Sequence, residues 1–371
     1  MNEAKSKRLL GLDLLRAAAI VMVLLAHYPK PGHGIGARIL NFGWTGVDLF
    51  FVLSGYLIGV QLLQPIAACQ PVELGRFYLR RFLRTLPPYF AVLPLYFLAA
   101  NAWNWKYVFF VQNFRMPATF TPSWSLCVEE QFYLLFPVAA VLLFQRHPRR
   151  TLQYGVPLFL AGETAVRFAI WLSQRPDLQP EPAALATYMG SLYYPTWCRL
   201  DGIGLGVALA AVKSFCPDWW YWLTDRPRYL FGAGGAFLAL AVGALWRHYS
   251  LFGSTAGFTA LDLSFAFFTA AALSKEGVLA RLQIPGAEYV ALISYSIYLT
   301  HSLAIDLTRG AGAIVAGTAI LAFALALHYA VERPCMALRD RVLKKRSVRP
   351  GEMRPSMQMG MEAALITVER E

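Results

Sequence analysis

Residues 9–28 read LLGLDLLRAAAIVMVLLAHY, an apolar run interrupted only by Asp13, Arg16 and His27. A helix of about 20 apolar residues spans a hydrocarbon core of about 30 Å. The run is too long and too polar for a cleaved signal peptide, and no small-residue cleavage site follows it. Reading outward, runs of similar length recur near 42–63, 87–104, 124–144, 151–173, 194–213, 229–246, 252–273, 284–306 and 311–331. They predict an all-α, polytopic membrane helix bundle of about ten transmembrane helices. The third run is interrupted by Pro87, Pro88 and Pro94 and reads as a broken span. The ninth carries Ser294, Ser296 and His301.

Composition agrees. Of 371 residues, 57% are hydrophobic and 15% charged, and mean hydropathy is +0.44. Soluble domains carry about 45–50% apolar and about 25% charged residues. The excess excludes a soluble Rossmann or barrel enzyme, a disordered regulator and a small secreted scaffold. Five cysteines without paired spacing give neither a disulfide framework nor a metal site. The net charge of +12 does not point to nucleic acid, because its placement follows topology. Alternate loops and both ends hold 24 of the 34 lysines and arginines, and the other loops hold seven. The positive-inside rule then puts both termini in the cytoplasm, as an even number of spans requires. Residues 1–337 are read as the membrane domain and 338–371 as a flexible, basic cytoplasmic tail. Residues 72–86 read as an amphipathic interfacial helix, with Arg76, Arg80, Arg81 and Arg84 among aromatic and leucine side chains.

Ionisable groups inside spans are costly, so each is a candidate functional group. Arg16 and His27 are eleven residues apart, three helical turns, which puts them on one face and roughly 16 Å apart along the axis. The competing structural reading pairs Arg16 with Asp13 and leaves His27 at the interface. Asp48, Glu129, Glu130, Arg199, Asp201 and His301 fall near the depth of His27, and Arg199 and His301 are read as substrate contacts there. Arg199–Asp201 and Glu163–Arg167 also have a plain reading as buried ion pairs that fix helix register. Histidine is the natural general base near neutral pH, and a carboxylate on its other ring nitrogen would fix the tautomer. Asp48 and Glu130 both qualify by depth. Arg81 and Arg84, at i,i+3, suit bidentate phosphate binding, although basic residues beside a membrane also bind lipid headgroups. Gly55-x-x-x-Gly59 and Gly202-x-x-x-Gly206 are read as close-packing positions.

Several segments together carry a family likeness. They are Gly11-Leu12-Asp13 through Arg16 to His27, Gly43 to Tyr56, Phe77 to Arg84, Trp124 to Tyr133, Arg199 to Gly202, Ser294 to His301, and Val331-Glu332-Arg333-Pro334. In this order they resemble the integral-membrane acyltransferase 3 family of bacteria, over about residues 9–337. Members move an acyl group, most often acetyl, from acyl-CoA to a hydroxyl of a glycan or similar acceptor. The resemblance implies His27 as catalytic base and Arg16 as its companion in an Arg-x10-His pattern. It implies Arg81 and Arg84 as donor-phosphate contacts and Glu130 as an active-site carboxylate. Acyl-CoA is then the donor substrate, with no cofactor or metal expected, in a multi-pass protein of the bacterial inner membrane. Some members carry an appended hydrolase-like domain; the stand-alone form is expected here. The rival from another class is a transporter or flippase for a polysaccharide or lipid-linked intermediate, which would use the same buried ionisable layer without a thioester donor.

Overall fold

In the computed structural model, residues 10–28, 34–115, 117 and 119–347 are described, and these contain helices and no strands. Ten helices follow the ten apolar runs. They are α1 (Leu10–His27), α2 (Gly46–Ala67), α3 (Leu74–Ala100), α4 (Ser123–Phe144), α5 (Val156–Gln174), α6 (Asp201–Phe215), α7 (Pro227–Leu245), α8 (Ala256–Leu273), α9 (Ala287–Leu307) and α10 (Ala313–Leu327). An eleventh, α11 (Arg333–Ser347), continues from α10 through a π-helical turn at His328–Glu332. Among the described residues, nine helices are long and apolar enough to cross a membrane. Leu98, Leu135, Leu142, Leu158, Leu240 and Ile314 face outward from them, largely exposed. Apolar surface on this scale is stable against lipid and not against water, so the protein is a multi-pass membrane bundle.

The sixth apolar run departs from expectation. It predicts a span over 194–213, but α6 begins at Asp201 and has 15 residues. Residues before it form a 3-10 turn, Thr196–Cys198, whose last residue is buried. The freed Cys198 carbonyl accepts a hydrogen bond from Arg167 Nη1 at 2.9 Å. Irregular backbone is tolerated at this depth only where protein groups satisfy it, as here.

The expected break between an interfacial helix over 72–86 and a third span is absent. α3 is one helix of 27 residues with Pro87, Pro88 and Pro94 inside it. The Tyr295 hydroxyl of α9 donates to the Thr85 carbonyl at 2.8 Å, which ties α3 to α9 just before the first two prolines. The flexible tail also needs correcting. Residues 338–347 continue α11, which packs along α3 and buries Leu343. Pro334 sits in the first turn, where a missing N–H costs nothing, and neither Gly nor Pro interrupts the helix that follows. The rest of that tail, 348–371, lies outside the described residues.

α2 runs through the middle of the bundle, buried along most of its length, against α1, α4, α6 and α8. The crossing with α6 depends on the small residues the sequence singles out. A Cβ at Gly55 would overlap the Ile203 carbonyl oxygen, and one at Gly206 would overlap the Val52 carbonyl oxygen. The two backbones therefore touch, and only glycine fits. α1 lies between α2 and α9, which brings its polar face to the bundle interior.

Candidate active site

Three cavities line up along the bundle. At the C-terminal end of α1, an outer chamber of about 520 Å³ is walled by His27, Trp44, Trp124, Tyr188, Tyr193 and Tyr298. Beneath it, an inner chamber of about 170 Å³ is lined by Arg16, Ser54, Arg81, Arg84, Glu129 and Tyr133. The two have Val47 and Tyr298 as common walls. A basic mouth of about 600 Å³ follows, between α3 and α11, lined by Gln61, Arg76, Arg80, Arg339 and Lys344 and again by Arg81 and Arg84. A route from the basic mouth to the outer chamber thus passes Arg81, Arg84 and then Tyr298.

His27 ends α1 with its Nδ1 2.9 Å from the Val23 carbonyl oxygen. A carbonyl only accepts, so Nδ1 carries the proton and the neutral ring presents Nε2 as its acceptor. His301 on α9 has the same arrangement, with Nδ1 2.8 Å from the Tyr298 carbonyl oxygen. Its ring is fully buried and meets the His27 ring edge-on at a centroid distance of 4.9 Å. His301 Nε2 has no hydrogen-bond partner among the described residues. Two imidazoles thus meet at the outer chamber, both with the tautomer set by main chain.

Neither carboxylate proposed to orient His27 does so. Asp48 forms an ion pair with Arg199, and both side chains are 1% exposed. Arg199 is further enclosed by Phe258, Tyr193 and Trp124, with its guanidinium carbon 4.2, 4.8 and 5.3 Å from their ring centroids. Arg199 therefore stands behind the chamber wall and braces two of the aromatics that form it, where a substrate contact was expected. Arg167 pairs with Asp201 at 2.8 Å and donates to Thr259 at 2.7 Å. This crosses the partners expected from sequence, Arg199 with Asp201 and Glu163 with Arg167. Separation along the chain misled there, because α5, α2 and α8 converge on the unwound start of α6.

Arg16 lines the inner chamber three turns along α1 from His27 and pairs with Asp13 at 3.5 Å. The carboxylate on the inner chamber is Glu129, which accepts from Ser54 Oγ at 2.7 Å. Glu130, expected from the family pattern, is not among the residues that line either chamber. Residues 125, 129 and 133 follow helical spacing, and that stripe of α4 faces the cavity; reading it would have selected Glu129. Arg81 stacks over the Tyr133 ring at 4.2 Å. No carboxylate among the described residues is within ion-pair distance of Arg80, Arg81 or Arg84, whereas Arg76 pairs with Glu73 and Arg339 with Asp340. Below the route, Ser296 Oγ and His328 Nδ1 both bond Glu332 Oε2, at 2.6 and 2.9 Å, which fixes the π-turn to α9.

The family model described as an acyltransferase domain matches residues 9–331. Curated relatives include a peptidoglycan O-acetyltransferase OatA of Listeria monocytogenes, 28% identical over 236 residues, covering 55% of this chain and 34% of that protein. A putative O-acetyltransferase of Staphylococcus aureus strain COL is 29% identical over 232 residues, 56% of this chain and 35% of that protein. An O-acetyltransferase OatA of Staphylococcus aureus strain NCTC 8325 is 31% identical over 171 residues, 38% of this chain and 26% of that protein. The chain spans about a third or less of the length of these relatives. No solved structure matches it. With the matched segment taking in all ten helices and both chambers, the chain belongs to the acyltransferase 3 family.

Proposed function

We propose that this protein is a membrane O-acyltransferase that moves an acetyl group from acetyl-CoA to a hydroxyl of a glycan. The observation that carries this reading is the line of three cavities, basic at one end and aromatic at the other, with His27 on the aromatic side. Unpaired guanidiniums on a recessed surface suit the phosphates of a CoA donor. An aromatic-walled chamber suits the apolar faces of a sugar, which stack on such rings. We assign the basic mouth to the cytoplasm and the outer chamber to the external face of the bacterial inner membrane, in keeping with the loop charges.

In this scheme the donor enters by the basic mouth, with its phosphates on Arg81 and Arg84 and its thioester arm running up past Arg16. His27 Nε2 accepts the proton of the acceptor hydroxyl as that oxygen bonds to the acyl carbon. The carbon–sulfur bond breaks, and the imidazolium returns the proton to the departing thiolate. The Val23 carbonyl holds the Nδ1 proton throughout, which leaves Nε2 as the nitrogen that takes part in transfer. Glu129 offsets the positive charge of the inner chamber, and the Asp48–Arg199 pair supports the chamber wall.

The experiment is deletion of the gene in its host, with mass analysis of surface glycans and secreted small molecules. Loss of an acetyl-sized increment, restored by the wild-type gene and not by His27→Ala, is the expected result. A transporter instead gives loss of whole glycans from the surface with their acetylation unchanged. That outcome overturns the reading.

A further inference from the structure

Val47 and Tyr298 are the side chains common to the donor and acceptor chambers, and Tyr298 is the one held in place by hydrogen bonds. Its hydroxyl donates to the Pro122 carbonyl at 2.8 Å and also bonds Ser125 Oγ, both at the start of α4. The ring of α9 is thereby latched across to α4 at the level where the two chambers meet. The main-chain carbonyl of the same residue holds His301 Nδ1, and the His301 ring rests on His27. Ser125 lines the inner chamber and Pro122 the outer one, so the latch has an end in each.

We propose that Tyr298 is a positioning residue that gates the seam between the chambers and decides whether the acyl group passes to an acceptor hydroxyl or is lost to water. With the latch closed, a thioester in the inner chamber is kept from the outer chamber and its water. When the donor arm parts the latch, the Tyr298 backbone carries His301 with it, so the opening is sensed at the His27 ring. A seam open without acceptor permits the wasteful reaction. A water oxygen then bonds to the acyl carbon, the carbon–sulfur bond breaks, the thiolate takes a proton from that water, and acetic acid and free CoA remain. This inference rests on the donor and acceptor assignments above, and its test separates the two.

The variant is Tyr298→Phe, which keeps the ring and removes the latch. Removing both hydrogen bonds of the closed state raises the open fraction about tenfold. The probe is a membrane-impermeant maleimide added to intact cells. It is directed at Leu57→Cys, on the inner chamber only, with Cys69, Cys216 and Cys335 replaced by serine. Arg38→Cys, on the outer chamber, reports orientation and folding. Labelling of L57C about tenfold faster with Tyr298→Phe than with Tyr298, and an intermediate rate with Ser125→Ala, supports the gate. Purified Tyr298→Phe protein should also release CoA from acetyl-CoA without acceptor faster than wild type, while transfer slows. Equal labelling rates, or hydrolysis and transfer falling in parallel, overturn the gate and leave the proposed function standing. No labelling at R38C overturns the orientation on which both rest.

Discussion

Replacing Asp48 with asparagine leaves the Arg199 guanidinium buried with its direct counter-charge gone. Both side chains are 1% exposed, so water does not make good the loss. Breaking a buried pair from one side costs about 3–5 kcal/mol. Asp201 and Asp262 remain close enough to act on Arg199, which puts Asp48→Asn near the lower end of that range. Arg199→Met falls nearer the upper end, because it also removes the cation from among Phe258, Tyr193 and Trp124. A double replacement, Asp48→Leu with Arg199→Met, removes both charges of the pair together and should be more stable than either single variant. Denaturation of the purified protein in detergent, followed by helical signal, gives the stabilities, and acetyl transfer per folded molecule gives the activity. If both single variants unfold like wild type yet lose about a hundredfold or more in transfer, the size of a general acid–base contribution, the pair is catalytic and the structural role assigned to it is wrong.

Other substitutions test other parts of the structure. Gly55→Ala drives a methyl into the Ile203 carbonyl and should destabilise the bundle by about 1–3 kcal/mol. Gly232→Ala, with nothing within 4 Å of the new methyl, should be neutral or stabilising in the same denaturation assay. Glu129→Gln should reduce acetyl transfer more than Glu130→Gln, measured on equal amounts of folded protein, because only Glu129 lines the donor route. Arg81→Gln and Arg84→Gln should each raise KM for acetyl-CoA about tenfold, since hydrogen bonds to charged groups are worth about 1.5–3 kcal/mol. Trp44→Ala should raise KM for the acceptor and leave that for acetyl-CoA unchanged, because Trp44 borders only the outer chamber.

The helix count and bundle class were legible because lipid imposes a length and a composition that few other environments require. The small-residue crossing of α2 and α6 was legible too, because Gly55 with Gly59 and Gly202 with Gly206 each mark one face of a helix. Features set by neighbours were not. Pro87 and Pro88 signal a break in isolation, whereas in the bundle α3 runs through them, tied to α9 at Thr85 by Tyr295. Depth along a span put Asp48 near His27, but depth fixes one coordinate of three, and Asp48 faces Arg199 instead. Glu129 and Glu130 differ by about 100° around a helix, so choosing between them requires the stripe through Ser125 and Tyr133. Tyr298 lies inside the Ser294-to-His301 segment with nothing to single it out, since a hydroxyl that bridges two helices leaves no mark in the sequence of either.

The most direct test of the central claim is acetyl transfer by His27→Ala protein, with membranes of the deletion strain as acceptor source and isotopically labelled acetyl-CoA as donor. A folded variant whose transfer falls about 10²–10⁴-fold, while it still binds acetyl-CoA, is the expected result for loss of the general base. Transfer at the wild-type rate by that variant would contradict the account.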